Sequence, residues 1–122
     1  MANPVGWFEI YVDDMARAKA FYQQVLATEL TALEFPGMEM HTFPMDMLTY
    51  GASGALVKMP GIAAGGNSVL VYFSCDDCQV EQERVTAAGG SIVKPKFSIG
   101  EHGFIALGYD TEGNMFGMHS NR

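Results

Sequence analysis

A single carboxylate stands among bulky apolar side chains near the start of the chain. Glu9 lies in the run WFEIYV at residues 7–12, where the other side chains are aromatic or aliphatic. A carboxylate in such surroundings must be paired, protonated or hydrated. One interpretation makes Glu9 a general base or an acceptor that orients a ligand. The other makes it a structural carboxylate that accepts a hydrogen bond from Tyr72 or from backbone N–H groups.

Two cysteines, Cys75 and Cys78, form a Cys-Asp-Asp-Cys sequence that resembles a redox motif. The pair falls at a strand-to-helix junction, where a helix N-terminus lowers the pKa of a thiol. However, Cys75 takes the place of Val12 in the internal repeat described below, a position that packs beneath a helix. The second Cys-x-x-Cys needed for a four-thiolate zinc site is absent from the sequence. We therefore interpret both residues as core cysteines.

The three histidines follow no metal-ligand spacing. His119 near the C-terminus is a candidate for donating or accepting a proton in a ligand site, or for a hydrogen-bonded strand-end role at a rim. For His41 and His102 we expect ordinary surface or loop roles, with His102 in a loop near the mouth of a pocket. A displaced metal site built from Glu9, His41 and His119 is an alternative that no local ligand pattern supports.

Helix and strand signals alternate twice along the chain. Residues 7–12 are rich in aromatic and β-branched residues and predict a strand. Asp13-Asp14 supplies a candidate N-cap for a helix over residues 15–26, where apolar residues recur at helical spacing. We predict further strands at 29–35, 38–43 and 54–59, then a strand at 69–74, a helix at 78–88 and strands at 91–95, 104–109 and 114–119.

The two halves match at an offset of 63 residues, which places Val12-Asp13-Asp14 on Cys75-Asp76-Asp77. Each half is a β-α-β-β-β unit, about residues 5–60 and 67–120, and neither is long enough to close a core alone. We therefore predict one α+β domain over residues 1–122, a cupped barrel in which two sheets curve around a shared cavity with the helices outside.

Composition excludes several classes of function. The chain has 122 residues, and 14 acidic against 7 basic residues give a net charge of −7. This acid excess repels phosphates, so we expect neither a nucleic-acid nor a membrane partner. The residues at 1–4 show no signal peptide, and no apolar run approaches a membrane span. We expect a cytoplasmic protein.

Two segments resemble the vicinal oxygen chelate superfamily of glyoxalase I, bleomycin-resistance proteins and extradiol dioxygenases. The first is WFEIYVDDMARAKAFY at residues 7–22, which is similar to the family's opening strand, Asp cap and helix. The second is DTEGNMFG at residues 110–117, which resembles its final turn and last strand. The resemblance covers nearly the whole chain and is strongest to small proteins related to lactoylglutathione lyase.

Family enzymes hold a divalent metal with His, Gln or Glu side chains on the first and last strand of each half. By resemblance these positions fall on Trp7, Val57 (within one residue), Leu70 and Gly117. None of the four is a usual metal ligand. We therefore expect no metal site and no cofactor.

If these positions point into the cavity, strand alternation turns four further side chains inward with Trp7: Glu9, Tyr11, Tyr72 and His119. Such a lining of aromatic residues with a few polar groups is typical of a small-molecule pocket. We predict Glu9 as the catalytic residue and Trp7, Tyr11, Tyr72 and His119 as ligand contacts, in a homodimer without the family metal. The alternatives are a metal-dependent lyase or isomerase and a non-catalytic drug- or metabolite-sequestering protein.

Overall fold

The computed structural model describes residues 3–48, 51–65 and 69–122, apart from the side chain of Val25. Its elements alternate as β-α-β-β-β twice, which confirms the predicted α+β order. The strands and helices are β1 (Val5–Tyr11), α1 (Met15–Leu26), β2 (Thr31–Phe35), β3 (Met38–Thr42), β4 (Ser53–Lys58), β5 (Val69–Ser74), α2 (Cys78–Ala87), β6 (Ser91–Ser98), β7 (Phe104–Tyr109) and β8 (Met115–Ser120).

The described residues divide into two compact units. The first unit is Phe8–Val69, and the second unit joins the N-terminal segment through Trp7 to Leu70–Arg122. The division falls inside β1, whereas the sequence places residues 5–7 in the first module. The backbone accounts for this, because Pro4 O accepts a hydrogen bond of 2.9 Å from Ser74 N in β5. The single domain over residues 1–122 stays a prediction.

In the first unit the strands follow the spatial order β2-β3-β4-β1, and β2–β3 and β3–β4 are antiparallel. Helix α1 begins at Met15 and is capped by Asp14, whose side chain accepts a hydrogen bond from Arg17 N, as an N-cap should. The helix packs on one face of this sheet. The core between them contains Val12, Met15, Leu30 and Leu56, with Ile10, Ala18, Tyr22 and Phe43 packed around it.

In the second unit the spatial order is β5-β8-β7-β6, in which β5 and β8 are parallel and the other pairs antiparallel. Asp77 caps α2 by accepting from Gln79 N. The core between α2 and the sheet is built on Cys78, Ala106 and Met118. A short 3₁₀ helix, Gly100–His102, links β6 to β7.

Strand β6 is longer than predicted. It runs to Ser98 rather than ending at Pro95, because its pairing with β7 shifts register between Ile92 and Lys94 and again between Lys94 and Phe97. Proline has no N–H to donate, and edge strands and bulges tolerate it. β6 is the last strand in its sheet order, so Pro95 is accommodated.

Candidate functional site

Strand β1 presents two chemically different faces within the first unit. Phe8 and Ile10 lie on the α1 side, since Ile10 packs on the α1 core and the Phe8 ring lies 5.6 Å from the ring of Phe43. Side chains alternate along a strand, so Glu9 and Tyr11 point to the opposite face. The predicted shared face of Glu9 and Tyr11 therefore holds in the first unit, and we call this face, with its neighbours on β4, the Glu9 face.

Glu9 is nearly fully buried and hydrogen bonded. Glu9 is only 8% exposed, and Tyr11 Oη donates a hydrogen bond to Glu9 Oε1 over 2.7 Å. On β4 the side chains that point the same way are Ala55 and Val57, both wholly buried, since Leu56 between them packs toward α1. The structural interpretation of Glu9 named Tyr72 or backbone as its donor, whereas this hydrogen bond comes from a tyrosine on its own strand.

Tyr72 lies in the second unit, where Gly117 on the neighbouring strand leaves space for its ring. It is paired with Gly117 across the parallel strands β5 and β8, and its ring covers the space where a Cβ at residue 117 would stand. Met118, the next residue on β8, packs toward α2 instead. Tyr72 and Gly117 therefore share the face of this sheet that points away from its helix, as the sequence predicts.

The side chain of His119 is hydrogen bonded to the 3₁₀ helix that links β6 to β7. Its Nε2 atom lies 2.6 Å from the main-chain oxygen of His102. A carbonyl oxygen only accepts, so Nε2–H donates, and in the neutral form of the ring the lone pair then lies on Nδ1. His119 thus behaves as a partly exposed strand-end histidine bonded to the loop residue His102, and its predicted contact with a ligand stays a prediction.

The positions that correspond to the family's metal ligands do not suit a metal. Val57 and Leu70 are buried aliphatic residues, Gly117 has no side chain, and the half-buried Trp7 carries only an indole N–H donor. No group of three or more metal-binding side chains comes together within residues 3–48, 51–65 and 69–122. The residues at these four positions therefore do not fit the family's metal.

The register refines one of these positions. Val12 N donates to Val57 O in the first unit, and Cys75 N donates to His119 O in the second. Because Val12 and Cys75 are equivalent in the repeat, Val57 corresponds to His119, and Ala55 corresponds to Gly117. The first-half equivalent of Gly117 thus lies two residues before the position the sequence suggested, and it is again a residue without a donor atom.

The displaced metal site is also disfavoured by the faces of the first unit. His41 pairs with Leu56 across β3 and β4 and shares its α1-facing side, whereas Glu9 points the other way. The Nδ1 atom of His41 is buried and lacks a hydrogen-bond partner among the residues that the structure describes. Glu9 and His41 diverge, so they cannot coordinate one ion.

The Cys75–Cys78 sequence lacks the features of a reactive thiol pair. Cys78 is wholly buried at the start of α2 and belongs to its core. Burial, reinforced by the carboxylate of Glu81, raises the pKa of the Cys75 thiol to about 11. The thiolate is the reactive species and is scarce at neutral pH with such a pKa, so the geometry supports core cysteines.

The sequence missed an aromatic groove on the other side of the first sheet. This cavity of about 340 Å³ lies beside α1, and the rings of Tyr22 and Phe43 meet edge to face there with centroids 5.8 Å apart. Alternation along β1 could have indicated it, because Phe8 and Ile10 point this way. The groove is lined by Phe8, Ile10, Tyr22, Leu26, Thr28, Phe43, Pro44, Ala52 and Ser53.

Known proteins share this sequence pattern and this fold. The model of the Glyoxalase/Bleomycin resistance protein/Dioxygenase superfamily matches residues 5–118. Proteins named "Putative glyoxylase CFP32" from Mycobacterium bovis and Mycobacterium tuberculosis are 26% identical over 115 residues, which is 93% of this chain and 44% of theirs. This chain therefore spans less than half the length of those curated relatives.

Two solved structures are similar at low identity. A hypothetical protein from Bacillus halodurans superposes with a TM-score of 0.77 at 11% identity, over 100% of this chain and 96% of the other. Methylmalonyl-CoA epimerase from Mycobacterium tuberculosis gives 0.71 at 13% identity, over 98% and 88%. These likenesses support the fold, and the family match covers almost the whole sequence. The chain belongs to the Glyoxalase/Bleomycin resistance protein/Dioxygenase superfamily.

Proposed function

We propose that this protein binds a small, partly apolar molecule at the Glu9 face and that Glu9 transfers a proton to or from it. One observation carries the proposal: a nearly buried carboxylate, hydrogen bonded at 2.7 Å to Tyr11, on the strand face that points away from α1. Carboxylates in such desolvated surroundings are candidates for functional sites. Trp7, Tyr72 and His119 remain the proposed further contacts.

The Glu9 face offers chemistry that the aromatic groove does not. Ala55 and Val57 give it a dry, aliphatic floor, and a proton acceptor acts more strongly where water is excluded. An ionised Glu9 would take a proton at one carboxylate oxygen, and the electron pair of the broken bond would stay on the ligand. Returning the proton restores the carboxylate, so the cycle needs no oxidant or reductant.

The relatives support a carbon acid as the ligand class. One fold neighbour is a methylmalonyl-CoA epimerase, and an epimerase inverts a stereocentre. Inversion next to a carbonyl group proceeds by removing and returning a proton, which is the task of a general base. We therefore propose a small carbonyl compound or thioester as the ligand. The relation to lactoylglutathione lyase is part of this proposal.

A fragment screen locates the site. Crystals soaked with small carbonyl compounds and thioesters, methylmalonyl-CoA among them, should show density against Glu9 and Tyr11. Binding confined to the groove beside Phe8, Tyr22 and Phe43 would contradict the proposal. Isothermal titration with the bound fragments checks the affinity in solution.

Glu9→Gln separates catalysis from storage, because it keeps the shape and removes the base. The assay uses a fragment whose carbon-bound proton exchanges for deuterium in the presence of the protein. The Glu9→Gln variant should bind this fragment with unchanged affinity, and its exchange rate should fall by a factor on the order of 10². Unchanged exchange in Glu9→Gln would sink the role of general base. Retained affinity with no exchange in the wild type would favour the sequestering alternative.

Elemental analysis tests the metal-dependent alternative. We expect the purified protein to hold less than about a tenth of an equivalent of Ni, Zn, Fe or Mn, because Trp7, Val57, Leu70 and Gly117 supply no usual ligand. One equivalent per chain, retained after dialysis, would overturn the metal-free proposal and return a lyase or isomerase of the glyoxalase type to first place.

We further propose a homodimer in the cytoplasm. Several large apolar side chains of the first unit are exposed, a pattern that marks interaction surfaces: Phe21, Leu26, Met45, Met47 and Leu48. No helix within the described residues is long and apolar enough to cross a membrane. Light scattering after size exclusion should give a mass of about two chains, and a monomer at every concentration would contradict the dimer.

A further inference from the structure

We infer that Tyr11 is a positioning residue, whose hydroxyl fixes the orientation of the Glu9 carboxylate and stabilises its ionised form. The role of this pair in proton transfer rests on the proposed function, whereas the hydrogen bond can be tested without any ligand. The sequence instead assigns Tyr11 to ligand contact.

The strand geometry makes the bond a local one. Tyr11 follows Glu9 by two residues, so both side chains leave β1 on one face, about 7 Å apart along the strand. A phenol is long enough to reach back over that interval. The 2.7 Å separation of Tyr11 Oη and Glu9 Oε1 is the ordinary length of an O–H···O hydrogen bond, so the hydroxyl is well placed to hold the carboxylate. A carboxylate only accepts, so the hydroxyl donates.

The surroundings make that donor important. Glu9 is 8% exposed, and removing a carboxylate from water disfavours its charged form. In the first unit the neighbouring strand β4 turns Ala55 and Val57 to the same face, and neither side chain can donate or titrate. Among these four side chains, Glu9 and Tyr11 are the ones that titrate. A hydroxyl aimed at Oε1 offsets part of the desolvation because it favours the ionised carboxylate.

The orientation matters as much as the charge. A glutamate carboxylate on three flexible torsions loses rotamer freedom when it acts on a ligand, and a fixed geometry avoids that cost at the moment of reaction. Tyr11 would therefore act through Glu9 without itself touching the reacting atoms, and its ring would remain part of the Glu9 face.

Tyr11→Phe tests the inference, since it removes one oxygen and keeps the ring. Selective ¹³C labelling of glutamate carboxyls allows NMR titration of Glu9, whose signal is assigned by its disappearance in Glu9→Gln. In Tyr11→Phe the midpoint for Glu9 should move to higher pH by about one unit, because the charged form loses its donor. The matched control is Tyr22→Phe, in the aromatic groove of the same unit, and it should leave the midpoint unchanged.

An unmoved midpoint in a folded Tyr11→Phe protein would overturn the inference. Should this variant fail to fold, the wild-type chain grown with 3-fluorotyrosine replaces it. Its more acidic hydroxyl donates more strongly, so the Glu9 midpoint should move to lower pH, and no movement would again contradict the inference. Proton exchange lost in Glu9→Gln with no titration shift in Tyr11→Phe would refute the positioning role alone. A shift in Tyr11→Phe with unaltered exchange in Glu9→Gln would refute the proposed base alone.

Discussion

The two units of this chain repeat one fold but differ at one buried polar position. At the offset of 63 residues, Glu9 on β1 corresponds to Tyr72 on β5, and both are almost inaccessible, at 8% and 7% exposure. The second unit therefore builds the same β-α-β-β-β scaffold with a phenol where the first has a carboxylate. The scaffold requires a buried side chain there, but it does not require a charge. A buried carboxylate that the scaffold does not demand is the observation on which the proposed function rests.

A second difference concerns what faces the carboxylate and the phenol across the sheet. Beside Tyr72 stands Gly117, which leaves room for the ring. Its first-unit counterpart is Ala55, a wholly buried residue on the Glu9 face. The second unit thus fills its space with an aromatic ring, whereas the first places a small aliphatic floor beside an acid. The two units therefore share their backbone arrangement and differ in the side chains that this face carries.

Truncating the two equivalent core residues should have the largest effect. Leu56 on β4 and Met118 on β8 are 0% and 2% exposed and pack toward α1 and α2. Leu56→Ala and Met118→Ala should each lower the free energy of unfolding by about 2–5 kcal/mol, because each removes buried methylene groups and leaves a cavity. Urea denaturation followed by circular dichroism gives the values.

Val80→Ala is the control, since Val80 on α2 is 44% exposed, lies outside the proposed dimer surface and should change the free energy of unfolding by less than about 0.5 kcal/mol. Similar losses for both core variants would support equivalent packing of the two helices on their sheets. A loss below about 1 kcal/mol in one of them would break the comparison at the level of the core, since buried truncations of this kind cost more.

The sequence predicted the fold well because local signals repeat. Two Asp caps, two helices and two sets of three strands occur at one spacing, so a weak signal in one half is reinforced by the other. Strand β6 was the exception, since Pro95 usually ends a strand and only the two register shifts of an edge strand accommodate it. Those register shifts depend on how β6 pairs with β7, and the local sequence of β6 does not indicate this pairing.

The candidate site was predicted in part. Alternation placed Glu9 and Tyr11 on one face of β1, and the structure agrees. Periodicity gives the face of a side chain but not its rotamer, so the hydrogen bond between the two residues could not be foreseen. The contact of His119 with the carbonyl of His102 likewise depends on how the 3₁₀ turn folds back. Whether Glu9 and Tyr72 act on one ligand stays a prediction.

Filling the space at Gly117 should have an intermediate effect on stability. Gly117→Ala puts a Cβ where the Tyr72 ring lies, so either the ring or the strand must move, at a cost of about 1–3 kcal/mol. The cost should largely vanish in a Tyr72→Ala background, which a double-mutant cycle measures as coupling between the two sites. Equal costs in both backgrounds would mean that Tyr72 does not require this glycine, and the contrast with Ala55 would lose its basis.

The smallest expected effect separates the two helix caps. Asp14 caps α1 through Arg17 N, whereas Asp77 caps α2 and also accepts from Lys96 Nζ over 2.8 Å.

The hydrogen bond from Lys96, together with that from Gln79 N, lowers the pKa of Asp77 below its usual 3.8. A carboxyl group with a lower pKa in the folded state adds stability that is present above pH 3.8 and is lost as pH falls through the folded value. Lys96→Met should therefore lower the Tm by roughly one to three degrees at pH 7, as for a partly exposed ion pair, and the difference should shrink toward pH 2. Lys94→Met, whose ammonium group lies over the Phe97 ring rather than on the cap, should show no such narrowing between pH 5 and pH 2. If the Tm difference between Lys96→Met and the wild type stayed constant over this range, Lys96 would contribute through its contact with the Phe104 ring. The two caps would then not differ in their electrostatics.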